Sequence, residues 1–388
     1  MKAQEKAALP DFGLYVHVPF CARSCDFCHF YQEAPRRADL EAYLDGMESA
    51  LERFAPPRPA GTVFFGGGTP GLLPARDLER LCRAVLRAQG GLPPAEWTVE
   101  MAPATLKADK LQVLRDHGVN RISIGVQSFN PELLAALGRI HSIRQVREAI
   151  RLLEKADFPN FNLDLIFAIP GQELSMWKED LEEAVRSAPA HISTYCLTFE
   201  EDTALWLRLQ QGTVRRRDPD EEAVFFELAA EVLEGSGFAQ YEVSNYARPA
   251  HACLHNINTW RMQEWIGYGP SAASQLGMRR WTEPHSLEDW MEGVRTGKRR
   301  FVEEVSLTPS ILAQDFLVFG LRMNAGVDLA ELEKRFPGAV PEGWEELKSG
   351  LIAEGLGLQE GKRFRLTTAG RLVADRIGEE ILARSGAL

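Results

Sequence analysis

Short apolar runs alternate with longer amphipathic segments between residues 14 and 200. Apolar residues at helical spacing predict helices at 36–54, 74–89, 104–117, 141–157 and 174–187. Six runs rich in β-branched and aromatic residues predict buried parallel strands at 14–20, 62–68, 97–103, 121–127, 161–170 and 191–199. Six strand–helix units of this kind predict an α/β fold, either a barrel or an open partial (β/α)6 barrel, whose functional groups lie at the carboxyl ends of the strands.

The alternation ends after residue 200. A helical segment near 218–236, the run YEVSNYA at 241–247 and a stretch containing Trp and Gly up to about 281 predict an α+β extension. The tail, 305–380, has the order helix, helix, short β-wing and helix, which is typical of a winged-helix-like module. We therefore expect three domains, at 10–200, 201–300 and 301–388. Such modules often bind DNA, but Glu and Asp are frequent here and no basic recognition helix stands out.

Composition narrows the classes of protein. A formal net charge of −11 argues against broad binding of nucleic acid, which normally needs a basic face. No apolar run is long enough to cross a bilayer, and the first residues lack the apolar core of a signal peptide. Six cysteines in a chain of 388 residues do not form a disulfide framework. We therefore predict a cytoplasmic protein whose clustered cysteines serve metal or redox chemistry.

Three of those cysteines fall in CARSCDFCHFYQ, residues 21–32, directly after the first predicted strand. Cys21, Cys25 and Cys28 would offer soft thiolate ligands from one loop. A structural zinc site usually takes four ligands in two separated pairs, and no second pair follows. His29 is a poorly spaced candidate for a fourth ligand. The pattern favours an iron–sulfur cluster that leaves one iron open to a substrate or cofactor, and zinc remains the alternative.

The spacing Cys21-x3-Cys25-x-Phe27-Cys28 resembles the signature of the radical S-adenosylmethionine superfamily. The resemblance implies a [4Fe–4S] cluster on these three cysteines, S-adenosylmethionine on the open iron, and a partial barrel of the radical SAM type. The segment GGGTP at 66–70 is similar to the part of that superfamily that binds the methionine amino group. By itself a glycine run at a strand end is equally typical of a tight turn.

Further motifs resemble the HemN/HemW branch of this superfamily across nearly the whole chain. They are YVHVPFC (15–21), RISIGVQSF (121–129), LGRIH (137–141), DLIFAIPGQ (164–172), HISTYCLTFEEDT (191–203), YEVSNYARP (241–249) and GYGPSA (267–272). The resemblance implies that Tyr15, Gly67 and Glu100 contact the cluster-bound S-adenosylmethionine. Other positions match those that line an adjoining site for a second molecule of it in the dehydrogenase of this branch: Phe27, Gly68, Thr69, Gln127, Arg139 and Asp164.

The branch contains two functions. Its dehydrogenases oxidatively decarboxylate coproporphyrinogen, whereas its HemW-like members are haem chaperones that bind haem and deliver it to target haemoproteins. Dehydrogenases resemble Cys-x3-Cys-x2-Cys-x-Cys, and this chain has Phe30 at the last position, as HemW-like proteins do. The short segment before Cys21 also fits the chaperone. We therefore predict a chaperone whose partner is a recipient haemoprotein. Transient contact with membrane haemoproteins is compatible with this prediction. The dehydrogenase is the alternative. No catalytic residue is assigned, and the oligomeric state is open.

The segment HNINTW at 255–260 resembles a HemW-type His-Asn-x-x-Tyr-Trp motif. The resemblance implies that His255 is an axial ligand of the haem cargo and that Trp260 packs against the macrocycle. Two residues depart from the family pattern, because Thr259 replaces a tyrosine and Ala273 replaces a histidine. An ordinary hydrogen-bonded histidine is an equally good interpretation of His255.

Overall fold

A computed structural model describes residues 10–384. The first half of the chain forms the alternating strands and helices that the pattern predicts. The strands are β1 (Phe12–Val18), β2 (Thr62–Gly67), β3 (Glu96–Met101), β4 (Arg121–Gln127), β5 (Phe161–Phe167) and β6 (His191–Cys196). The helices are α1 (Arg37–Arg53), α2 (Ala75–Ala88), α3 (Ala108–Asp116), α4 (Pro131–Ala136), α5 (Ile143–Lys155) and α6 (Leu174–Arg186), with a 3₁₀ turn at Pro70–Leu72.

The remaining elements add strands to both edges of this sheet and then form a separate small sheet. The first group is α7 (Ala204–Gln210), α8 (Pro219–Gly235), β7 (Ala239–Glu242), β8 (Asn245–Ala247), α9 (Leu254–Trp260), β9 (Glu264–Tyr268), β10 (Ala273–Leu276), β11 (Arg279–Thr282), α10 (Leu287–Thr296) and β12 (Glu303–Ser306). The tail contains α11 (Pro309–Leu321), β13 (Val327–Asp328), α12 (Leu329–Arg335), α13 (Trp344–Ala353), β14 (Gly357–Glu360), β15 (Arg363–Leu366), α14 (Thr368–Leu372) and α15 (Ala374–Arg384).

Within residues 10–384, twelve strands form one sheet in the order β12-β11-β10-β9-β1-β2-β3-β4-β5-β6-β8-β7. Strands β1 to β6 are parallel neighbours, and β9 adds in parallel to the other edge of β1. The outer strands β10 to β12 and β7 to β8 pair antiparallel. The sheet is therefore open and mostly parallel, and the α/β prediction is confirmed.

The apolar core lies between the sheet and its helices. Alternate residues of β1 to β3 point to this layer, where Phe65 and Trp97 pack edge to face with ring centroids 5.5 Å apart. The opposite face of the same strands carries Tyr15 and Phe64, whose rings stack 6.3 Å apart inside the barrel. One face therefore supplies burial and stability, and the other supplies polar and aromatic groups to the interior.

The structure supplies the elements of two segments for which the sequence pattern predicted none. The run at 241–247 is two short antiparallel strands, β7 and β8, joined by a turn, because Glu242 and Asn245 pair across it. The HNINTW segment forms helix α9, which the apolar spacing did not predict. No helix in the described part of the chain combines the length and the apolar character that a membrane crossing requires.

Candidate functional site

The cysteine loop, residues 21–32, begins where β1 ends and returns to the same strand. The N–H of Cys21 donates to the carbonyl of Glu33 (3.0 Å), and the N–H of Glu33 donates to Pro19 (2.8 Å). The glycine segment after β2 lies alongside, since the N–H groups of Gly68 and Thr69 donate to Val18 and Phe20 (both 2.8 Å). The carboxyl ends of β1 and β2 thus hold the two sequence-predicted motifs side by side.

The three thiols of the loop are half-buried and face polar neighbours. The Sγ of Cys21 lies 3.6 Å from the hydroxyl of Thr69, and Nη1 of Arg139 donates to the Sγ of Cys25 (3.1 Å). Burial raises the pKa of Cys21 and of Cys28; the charges of the neighbouring cysteines add to the rise, and Arg139 opposes it. Since each thiol affects another electrostatically, the structure brings all three together.

Three thiols on one loop are a donor set that suits an iron–sulfur cluster. A structural zinc site requires its ligand atoms to converge on one ion, whereas the thiolates of a [4Fe–4S] cluster bind separate irons. The thiols also share one loop and one cationic neighbour, Arg139, which stabilises thiolate charge.

Asp26 anchors the middle of the loop to two other segments. Its N–H donates to the carbonyl of Leu137 (3.1 Å), and its carbonyl accepts from the N–H of Leu205 at the start of α7 (2.7 Å). Its carboxylate pairs with Arg208 (2.9 Å). A Cβ at Gly138 would lie 2.3 Å from the Asp26 carboxylate, so the close approach requires glycine. The LGRIH motif and α7 therefore fix the loop.

The glycine segment approaches its neighbours with its backbone. Gly67 has φ +97°, and a Cβ there would lie 2.5 Å from the His17 ring. A Cβ at Gly66 would lie 2.9 Å from a carboxylate oxygen of Glu100, and one at Gly68 would lie 2.7 Å from the carbonyl of Val18. Glycine is therefore required at these positions, because the segment packs closely on His17, Glu100 and the end of β1.

Two carboxylates face each other across the interior beside these glycines. Burial raises the pKa of Glu100 to about 8; the charge of Asp164 adds to the rise, and the N–H of Gly67 opposes it. Burial also raises the pKa of Asp164, although Ser123 (2.9 Å) and Asn162 (2.8 Å) donate to it. It is costly to ionise both of these buried carboxylates together. A positive charge between them would favour the charged form of each, so the pair suits a cationic ligand.

The remaining predicted residues lie at the same rim. Gln127 ends β4 with φ +67°, where the pairing with β5 shifts register, and Arg139 Nη2 donates to the carbonyl of Gly125 (2.9 Å). Phe27 packs against an apolar cluster that contains Leu137. Its side chain therefore has a packing contact that the sequence motif did not indicate, alongside any role in binding.

His255 lies at the other end of the barrel. Its Nδ1 is 3.0 Å from the hydroxyl of Thr62, the first residue of β2, and its ring stacks on Phe64 at 5.1 Å. A Cβ at Gly13 would lie 3.2 Å from the ring. The side chain is buried, and burial lowers its pKa to about 4. The structure does not bring His255 to the cysteines, and its role as a haem ligand stays a prediction.

Sequence reasoning missed the group that holds α9 in this position. The carboxylate of Glu96 accepts from the N–H groups of Leu254 and His255 (both 3.0 Å) and pairs with Arg121 (3.1 Å). Glu96 and Arg121 are both buried. These contacts join residues up to 159 positions apart, and no local spacing indicates such a pairing. The one signal in the sequence was a glutamate at the start of an apolar strand, because a carboxylate that becomes buried there needs partners.

Comparison with known proteins places this geometry in a family. Residues 15–184 match the radical SAM superfamily, and residues 307–373 match the HemN C-terminal domain. Among solved structures, coproporphyrinogen III oxidase (HemN) from Escherichia coli is similar with a TM-score of 0.82 and 22% identity, covering 98% of this chain and 91% of that one. At that identity the likeness shows the fold.

Similar sequences extend over most of the chain. The heme chaperone HemW of Lactococcus lactis is 32% identical over 95% of this chain and 96% of its own length. The heme chaperone HemW of Synechocystis is 36% identical over 82% of this chain and 79% of its own length. The mitochondrial radical S-adenosyl methionine domain-containing protein 1 of Danio rerio is 33% identical over 81% of this chain and 73% of its own length.

Proposed function

This chain belongs to the HemW family of the radical SAM superfamily, and on that premise we propose that it is a haem chaperone. The end-to-end likeness to HemW proteins carries the proposal. It is supported by Phe30, which replaces the fourth cysteine of the dehydrogenase pattern. The likeness to the E. coli oxidase concerns the fold and does not favour the dehydrogenase alternative.

Cys21, Cys25 and Cys28 would hold a [4Fe–4S] cluster. The three half-buried thiols share one loop that is fixed by Asp26, and Arg139 donates to Cys25 (3.1 Å). The guanidinium places a positive charge beside a sulfur that would bind iron. Its second contact, with the carbonyl of Gly125 (2.9 Å), holds it in place against β4.

Tyr15, Gly67 and Glu100 would hold S-adenosylmethionine beside the cluster. The bound cofactor carries an ammonium and a sulfonium group, and on reduction it supplies a radical. Glu100 and Asp164 would offer carboxylates to such a cation, and the glycines of the neighbouring segment, which have no side chains, lie directly beside Glu100. Phe27, Gly68, Thr69, Gln127, Arg139 and Asp164 form the adjoining wall. Most of their polar groups already contact the loop or the sheet, so they also position the thiols.

Haem is the cargo in this proposal, and a haemoprotein is its recipient. The six free cysteines suit the reducing cytoplasm, where we propose that the protein acts. His255 was proposed from sequence as the axial ligand of haem. Its ring is enclosed by Gly13, Thr62 and Phe64, so it would reach haem iron only if α9 moved away from the strands.

Parallel assays with haem and with coproporphyrinogen test the function. The protein is reconstituted anaerobically, reduced and supplied with S-adenosylmethionine and one of the two ligands. We expect stoichiometric haem uptake, followed by absorbance, and transfer of the haem to an apo-haemoprotein. Accumulation of protoporphyrinogen over many turnovers would contradict the proposal and establish the dehydrogenase alternative.

A further inference from the structure

His29 is an exposed imidazole on the cysteine loop that the family motifs leave unassigned. All eight histidines of the chain lie within residues 10–384. His29 and His285 are exposed, whereas the other six are buried or half-buried: His17, His117, His141, His191, His251 and His255. Among the described residues, the structure gives His29 no hydrogen bond or ion pair, so both ring nitrogens are available to a ligand.

The local sequence has a spacing that is known from haem chemistry. Cys25-Asp26-Phe27-Cys28-His29 is a Cys-x-x-Cys-His segment, in which the histidine follows the second cysteine directly. In proteins that attach haem through this segment, the imidazole binds the iron, and the macrocycle lies against the loop. Here the two cysteines are assigned to the cluster, and the imidazole alone remains for haem iron.

The loop that carries His29, and the two segments bonded to Asp26, expose side chains that suit a flat, apolar and dianionic ligand. Phe30 is 67% exposed, so its ring is free to pack against such a ligand. Two segments fixed to Asp26 carry further exposed apolar side chains, since Ile140 is 65% exposed and Leu207 is 55% exposed. Arg23 is exposed on the same loop and offers a guanidinium for a propionate group.

We propose that haem binds noncovalently on the outer side of the cysteine loop, with His29 as axial ligand and Phe30 packed against the macrocycle. The inference rests on the proposed function, because it names where the cargo binds. Glu100 and the glycine segment face the barrel interior, whereas His29 and Phe30 face solvent. Haem and S-adenosylmethionine would therefore occupy opposite sides of the loop and bind together.

Haem titration of the cluster-loaded full-length protein tests the site. We expect His29→Ala to lower haem affinity about tenfold or more, a loss of about 1.4 kcal/mol or more, and to change the Soret and visible bands of the complex. His29→Met should restore binding with a different spectrum, since methionine sulfur also binds haem iron. Phe30→Ala should weaken binding with the spectrum unchanged.

His285→Ala is the matched control, and His255→Ala tests the competing haem ligand. His285→Ala removes the other exposed imidazole, whose Nδ1 is 2.7 Å from the hydroxyl of Ser271. It lies near the same loop, because the N–H of Leu287 donates to the hydroxyl of Tyr31 (2.8 Å). We expect unchanged affinity and spectrum for His285→Ala. His255→Ala should also leave the haem spectrum unchanged. If His255→Ala loses the haem spectrum and His29→Ala keeps it, His255 is the axial ligand and the inference is wrong.

The outcomes separate the inference from the function on which it rests. If the wild-type protein takes up no haem, the chaperone proposal fails and this site fails with it. If the wild type binds haem and His29→Ala binds it equally well with the same spectrum, only the site is overturned. Loss of iron and sulfide from His29→Ala would make His29 a cluster residue and would also overturn it. Haem that stays attached after acid extraction would contradict noncovalent binding.

Discussion

The two ends of the parallel strands use polar residues in opposite ways. At the carboxyl ends, the thiols of the cysteine loop are half-buried and Glu100 and Asp164 are costly to ionise together. At the amino ends, Glu96 pairs with Arg121 and accepts two backbone N–H groups of α9. At the carboxyl ends burial disfavours the charged form of the two carboxylates, whereas at the amino ends Glu96 has a counter-charge and two backbone donors.

A chain of hydrogen bonds joins the two ends through the barrel interior. Asn162 donates to Asp164 (2.8 Å) near the rim and contacts Nδ1 of His191 (2.7 Å). His191 contacts the hydroxyl of Tyr241 (2.9 Å), which accepts from the N–H of Cys253 beside α9 (3.3 Å). The interior is thus polar along its length.

The largest expected effect is at the rim, on the cluster. Cys25→Ala removes the thiol that Arg139 contacts, and we expect iron and sulfide content to fall to background after reconstitution. Cys82→Ala is the matched control, because Cys82 is fully buried in α2 and should cost about 1 kcal/mol of stability with the cluster retained. Chemical analysis of iron and sulfide measures both. Four irons per chain in Cys25→Ala would contradict the assignment.

The next effect is at the other end and concerns stability. Glu96→Gln leaves the buried guanidinium of Arg121 without its counter-charge, so we expect a loss of about 3–5 kcal/mol in the free energy of unfolding. Glu292→Gln breaks the exposed pair with Arg295 and should cost about 0–1 kcal/mol. Urea unfolding measures both variants. Equal losses would show that the pair at the amino ends is no more structural than a surface pair.

The sequence predicts the rim far better than the opposite end. Strand alternation places Cys21, Gly67 and Glu100 at successive strand ends, and the carboxyl ends of parallel strands share one edge, so their proximity follows from the pattern. The position of His255 depends instead on where α9 packs, and that is fixed by Glu96, 159 residues earlier. Short local periodicity does not record a contact of that range.

Exposure is the other property that the sequence could not supply. The residues His29 and Phe30 look like ordinary loop positions in the pattern, and Phe27 looks like a binding residue. In the structure Phe30 is largely exposed, whereas Phe27 packs in an apolar cluster with Leu137. Which of two nearby aromatic rings faces solvent depends on the docking of Asp26 on Leu137 and Leu205, which is a tertiary contact.

A smaller effect tests whether the rim needs its backbone conformation. Gly67→Ala places a methyl group 2.5 Å from the His17 ring at φ +97°, and we expect a loss of about 3 kcal/mol in unfolding free energy. Gly90→Ala is the matched control, with φ +71° and open space around the new methyl group, and should cost about 1 kcal/mol. Equal losses would mean that the His17 contact imposes no constraint.

A pH-dependent effect also distinguishes the ends. In the unfolded chain Glu100 loses its proton near pH 4.3, but in the folded protein it holds the proton until about pH 8. Between these values the folded state binds more protons, so this residue makes ligand-free protein less stable as pH rises from 5 to 8. Glu100→Gln removes that contribution, so its free energy of unfolding in urea should rise relative to wild type by about 3–4 kcal/mol between pH 5 and pH 8. If the difference in unfolding free energy between Glu100→Gln and wild type is constant across this range, burial does not disfavour the charged form of Glu100. The contrast between the two ends of the strands would then be wrong for this residue.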